Sequence, residues 1–142
     1  MGQHDTVWDA LHTLLNANLV ATVGQDDDSL LDRGTSVVVL TRQPIVSRLD
    51  GAFGVARRRL TFPTEVYAAT RANLTTEVDT VIAVLEDYPT LNSQAGVSGL
   101  VIETGGEPQP INDARGGGPH YWMQDLTIEI ELQYAKSGGE YA

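Results

Sequence analysis

Leu126-Thr127-Ile128-Glu129-Ile130-Glu131-Leu132 alternates apolar and polar residues without a break. Side chains on a strand point alternately to opposite faces, so this pattern describes a half-buried strand. Leu126, Ile128, Ile130 and Leu132 point to a core, and Thr127, Glu129 and Glu131 point away from it. Any fold for this chain must therefore contain a sheet with one apolar and one polar, acidic face.

A second alternating segment runs from Arg57 to Ala69, with Leu60, Phe62, Thr64, Val66 and Ala68 on one side. Pro63 has no N–H to give a ladder, which predicts an edge position or a bulge there. Val37-Val38-Val39-Leu40 is a continuous apolar run, expected of a strand covered on both faces. Further strands are expected near 19–23 and 97–104. Two segments carry helical periodicity instead. Val7, Trp8, Leu11, Leu14, Leu15 and Leu19 form one stripe over about 7–18, with Asp5 or Thr6 as cap. Leu74, Val78, Val81, Ile82 and Leu85 do the same over about 72–86, with Thr70 or Asn73 as cap and Pro89 as the stop. The order is helix, two or three strands, helix, two strands. The fold class is α+β, two helices packed on one face of a mainly antiparallel sheet.

The length of 142 residues fits one domain, placed at 1–136 with a short tail over 137–142. Two segments interrupt the pattern and read as mobile loops. Residues 43–57 form a loop or an extended hairpin tip. Residues 105–119 hold five glycines and three prolines with few apolar side chains, too little to order the segment alone. Mobility in the isolated subunit and ordering against a neighbour are the expectation for it.

Nine basic against nineteen acidic residues give a formal charge of -10. Tight nucleic-acid binding needs a basic footprint, which this balance disfavours. The same balance suits a surface past which DNA slides without sticking. Cysteine is absent, which excludes disulfides and thiolate ligands. The first residues lack the basic start and apolar run of a secretory leader, and no stretch is apolar enough to span a bilayer.

No constellation assembles a catalytic centre. His4, His12 and His120 are scattered, without the local pairs that zinc sites use. Asp26-Asp27-Asp28 lacks the turn glycine and closing glutamate of a calcium loop, and reads as a solvated acidic loop. Gly116-Gly117-Gly118 leads into a strand, whereas a phosphate loop opens a helix. Arg57-Arg58-Arg59 is the one dense basic cluster. It serves either as a charged strand end that blocks edge-to-edge pairing or as an electrostatic contact for a partner. Alternation puts Arg57 and Arg59 on the face opposite Arg58. Glu129 and Glu131 share the polar face, where nothing desolvates them into acid–base work. Tyr121-Trp122-Met123 reads as a core or interface anchor.

In order, these pieces resemble the tail-terminator and tail-completion proteins of long-tailed phages and related archaeal viruses. The resemblance rests on Trp8-Asp9-Ala10-Leu11 in the opening helix and Phe62-Pro63-Thr64-Glu65-Val66-Tyr67 in a long strand. It continues through Val84-Leu85-Glu86-Asp87-Tyr88-Pro89-Thr90-Leu91 and Leu126 to Tyr134. It implies a non-enzymatic subunit without a cofactor that closes into a homo-oligomeric, six-membered ring. The ring ends growth of the tail tube and joins the tube protein to a neck or head-connector protein. It sits at the tail–neck junction of the virion after assembly in the host cytoplasm. DNA passes through it without specific binding, and no membrane is involved. Arg57, Arg58, Arg59, Tyr121 and Trp122 are the interface candidates, and Glu129 and Glu131 are candidates for the lumen or polar face. A head-completion protein of the same neck is similar in size and plan. A small ligand- or peptide-binding α+β module, and a hydrolase or transferase, are the readings from other classes.

Overall fold

The computed structural model describes residues 3–27, 37–49, 55–86, 97–111, 121–137 and 140–141. Helix α1 (Gln3–Asn18) leads into strand β1 (Thr22–Gln25), followed by β2 (Val37–Thr41), β3 (Ile45–Leu49) and the long β4 (Val55–Ala68). Helix α2 (Arg71–Glu86) precedes β5 (Val97–Ile111), β6 (Tyr121–Ser137) and a two-residue β7 (Glu140–Tyr141). The strand order is β1-β2-β4-β6-β5, with β3 also on β4 and β7 on the end of β6. Every pairing among the described residues is antiparallel except β1 with β2. Both helices pack on one face, α2 against β4, β6 and β5 and α1 against β1 and α2. The α+β class and its one-sided helical layer are as the periodicities demand.

The core follows the two alternation patterns residue for residue. Leu60, Phe62, Val66 and Ala68 of β4 and Leu126, Ile128, Ile130 and Leu132 of β6 are buried in one cluster. The three- and four-residue steps of α1 bring Val7, Leu11, Leu14 and Leu15 to it, and α2 brings Leu74, Val78, Val81 and Leu85. Ile82 is only partly buried at its margin. On β2, Val39 joins this cluster, while Val38 and Leu40 are fully buried on the other face beside Tyr67. The run is thus covered on both sides, as an unbroken apolar strand must be.

Several boundaries move. Helix α1 includes Gln3, so Asp5 and Thr6 lie inside its first turns and do not cap it. The first strand begins at Thr22, not Leu19; Leu19 still closes the helix through its N–H to the Leu15 carbonyl at 2.9 Å. Of the two caps expected for α2, Thr70 is the one used. Its Oγ1 accepts the Asn73 N–H at 3.2 Å.

The 43–57 segment contains β3 and the start of β4, paired from Ile45↔Thr61 to Leu49↔Arg57. It is an extended hairpin rather than a loop; residues 50–54 lie outside the described residues. The 105–119 segment departs further from expectation. Residues 105–111 continue β5 along β6, across a register shift between Gly105 and Gln109 with Gly106 at φ 64°. The outer strand forms there because β6 supplies the ladder, which composition alone does not reveal. Residues 112–119, with the triple glycine, lie outside the described residues. Beyond residue 136, Ser137 pairs with Glu140 in a short hairpin.

Pro63 does not mark an edge. Strand β4 is interior, with β6 on one side and β2 and β3 end to end on the other. Between Thr41↔Thr64 and Ile45↔Thr61, four steps from 41 to 45 match three on β4 from 64 to 61. That is a bulge, and Pro63 sits opposite it. Its carbonyl accepts the Arg42 N–H at 2.8 Å. The proton missing from its nitrogen falls where the neighbouring register has already slipped, so no regular ladder bond is lost.

Candidate functional site: the face of the sheet without helices

Odd-numbered residues of β4 share the face away from the helices. Through the register they stand in rows with the odd-numbered residues of β6: Arg57 beside Gln133, Arg59 beside Glu131 and Thr61 beside Glu129. The side chains convert this register into a charge lattice. Arg59 donates from Nη2 to Glu131 Oε1 at 3.1 Å and places Nε 3.7 Å from Glu129 Oε2. Arg57 Nη2 lies 3.5 Å from Glu131 Oε2. Two arginines therefore hold two glutamates across a pair of central strands, all of them half-buried.

Arg57, Arg59, Glu129 and Glu131 are thus brought together, and Arg58 is separated from them. It lies on the helical side, opposite Leu132. The cluster does not form a charged edge, because β4 is interior. Tyr121 is buried at the far end of the lattice face, its ring meeting Tyr67 edge-on at 6.2 Å. Trp122 turns to the helical side, half-buried against the core, with the Arg71 guanidinium 6.0 Å from its ring centroid. Within the chain, Tyr121 meets Tyr67 and Trp122 packs at the margin of the core.

A polar junction at the β1–β2 end is missed by periodicity. Trp8 on α1 donates its indole N–H to Thr41 Oγ1 at 2.9 Å. Thr41 is fully buried and passes a longer bond, 3.4 Å, to the Gly24 carbonyl. Next to Trp8 on α1, Asp9 accepts the Gln25 side-chain amide at 3.1 Å. Asp26 follows β1 at φ 51°, a left-handed conformation that aspartate tolerates better than most residues. Its N–H donates to the Thr41 carbonyl and its carboxylate accepts the Gln43 N–H. Arg42 reaches Glu65 Oε1 at 2.7 Å, and the Tyr67 hydroxyl donates to the same oxygen at 2.7 Å. Asp26 is therefore a structural turn residue and not only part of a solvated acidic loop; Asp28 lies outside the described residues. The sequence signal for this junction is a set of polar residues inside otherwise apolar elements.

Among the described residues the remaining titratable groups do not converge. Glu77 on α2 has one carboxylate oxygen enclosed without a hydrogen-bond partner, and burial raises its pKa above the usual 4.5. His12 on α1 is half-buried, with Nδ1 enclosed. Among the described residues no three of His, Cys, Asp and Glu are grouped to hold a metal ion, and no helix is long and apolar enough to cross a membrane. His120 lies outside the described residues. Neither a protein-family model nor a curated protein sequence matches this chain.

Proposed function

We propose that this chain is a structural virion protein, a non-enzymatic subunit of a ring that caps the tail tube, ends its growth and joins it to the neck. The observation that carries the reading is the charge lattice on the face away from the helices. The densest basic cluster of an acidic chain turns two of its three arginines onto the chain's own carboxylates. A wall built this way meets phosphates with arginines already engaged by glutamates, and net negative charge keeps a passing polyanion mobile. The order of elements supports the same reading through the resemblance described above. In this proposal Glu129 and Glu131 belong to the surface that DNA passes, at the tail–neck junction, and the direct partners are the tube protein and a neck or head-connector protein.

Tail production without this protein tests the proposal. Over-long or ragged tubes that fail to join heads are the expected result. Tubes of normal length that fail to join heads point instead to a head-completion role, and normal tails attached to heads overturn both.

A further inference from the structure

Beyond the central pair β4 and β6, the described part of the sheet ends in β5 on one side and, on the other, in β1 past β2 and in β3 directly on β4. Five large apolar side chains stand exposed among the described residues, and four of them lie on two of these strands: Ile45 (59%) and Val46 (41%) on β3, Val101 (48%) and Ile111 (36%) on β5. Their positions are not independent. Reading across the strands, one row runs Ile45, Thr61, Glu129, Val101. The next runs Val46, Leu60, Ile130, Leu100. Each row begins and ends in an apolar residue at a sheet edge, the first on the lattice face and the second on the helical face.

Strand directions make these edges compatible. Strand β3 is antiparallel to β4, β4 to β6 and β6 to β5, so β3 and β5 run in opposite directions. Two copies set side by side in the same orientation would therefore meet in an antiparallel ladder. The backbone agrees. Pro63 directs its carbonyl to the β2 side, so by alternation Thr61 faces β3, Glu129 faces β5, and Ile45 and Val101 face inward. Val46 and Leu100 consequently present their N–H and C=O groups outward. The far half of β5 is less suited to pairing, since Pro108 and Pro110 lack donors.

We infer that β3 of one copy pairs with β5 of the next copy over Gly99 to Val101, past the register shift between Val97 and Gly99, with Ile45 opposite Val101 and Val46 opposite Leu100. Val46 and Leu100 exchange the ladder hydrogen bonds, and Ile45 and Val101 form the closer, non-bonded pair on the lattice face. The interface joins two different edges, so it is heterologous and generates a ring when the rotation closes. Closure into a ring rests on the proposed function; the pairing rests on the strand rows.

The absence of cysteine permits a direct test. A non-bonded antiparallel pair has the Cα separation a disulfide accepts. Within one chain the two positions are three strand spacings apart, roughly 14 Å, too far to bridge. Oxidised I45C/V101C protein is expected to give a ladder of covalent multimers, and a mixture of the two single variants a covalent heterodimer. Homodimers from either single variant alone would overturn the pairing in favour of a two-fold contact. Rings of wild-type protein without cross-links in the double variant would overturn the pairing and leave the ring standing. Monomers at every concentration, without cross-links, would overturn both. As an independent readout, Ile45→Glu should weaken self-association at least about tenfold, and adding Val101→Lys should restore it. Failure of that rescue, with both variants folded, counts against the register.

Discussion

The indole N–H of Trp8 donates to the hydroxyl of Thr41 across 33 residues, at 2.9 Å, tying the first helix to the end of β2. The bond matters because Thr41 is buried and its hydroxyl proton is already committed to Gly24. Thr41→Val keeps the shape and removes the acceptor, leaving an indole N–H without its partner. A loss of about 1–2 kcal/mol is expected, measured by urea unfolding. Trp8→Phe in the same background should then add less than it does alone, because the pair is already broken.

The two faces of β6 should respond oppositely to charge. Ile128 is fully buried in the core cluster, while Thr127 lies on the lattice face. Ile128→Asp is expected to destabilise by about 3–5 kcal/mol, as an unpaired buried charge does. Thr127→Asp should be far milder. Equal losses in chemical denaturation would contradict the register.

The arginine–glutamate lattice is only half-buried, which limits its energetic weight. A double-mutant cycle on Arg59→Ser and Glu131→Gln should give a coupling of about 0.5–1 kcal/mol. The coupling should shrink as added salt shortens the Debye length towards the pair separation. Within the proposed function, replacing Arg57, Arg58 and Arg59 together by Ser should leave a folded monomer that caps tail tubes poorly. Electron microscopy of assembled tails reads that second effect.

Glu77 gives a pH dependence whose sign follows from its raised pKa. Folding then favours the protonated carboxyl. The favourable contribution is complete below the unfolded value near 4.5 and disappears as pH rises through the higher folded value. Glu77→Gln should accordingly raise the melting temperature at neutral pH. The difference should close as the pH falls below 4.5. Thermal unfolding of both proteins across that range checks the expectation.

The cap on α2 offers a purely local test. Thr70→Ala removes the acceptor for the Asn73 N–H, and stability should fall by about 1 kcal/mol. Thr70→Asp should retain most of it, since a carboxylate also accepts that bond and complements the helix dipole.

What the sequence determined by itself is everything carried by a period. Alternation at Leu60 to Ala68 and Leu126 to Leu132 set which side chains meet the core, and helical spacing set the stripes of α1 and α2. These patterns are legible because neighbouring residues report the same solvent boundary. The acidic, polar character of the face that carries Glu129 and Glu131 is legible for the same reason. Strand order was decided elsewhere. Pro63 is compatible with an edge or a bulge, and only pairing with β6 on one side and a slipped β2–β3 register on the other made β4 interior. Gly105 to Ile111 is poor in apolar residues, yet a strand also gains from the ladder its neighbour offers. The arginine–glutamate lattice joins residues 72 positions apart, and the Trp8–Thr41 bond joins residues 33 apart. Such contacts leave no trace in local periodicity, because a hydrogen bond depends on where two distant backbones are brought and not on the pattern along either one.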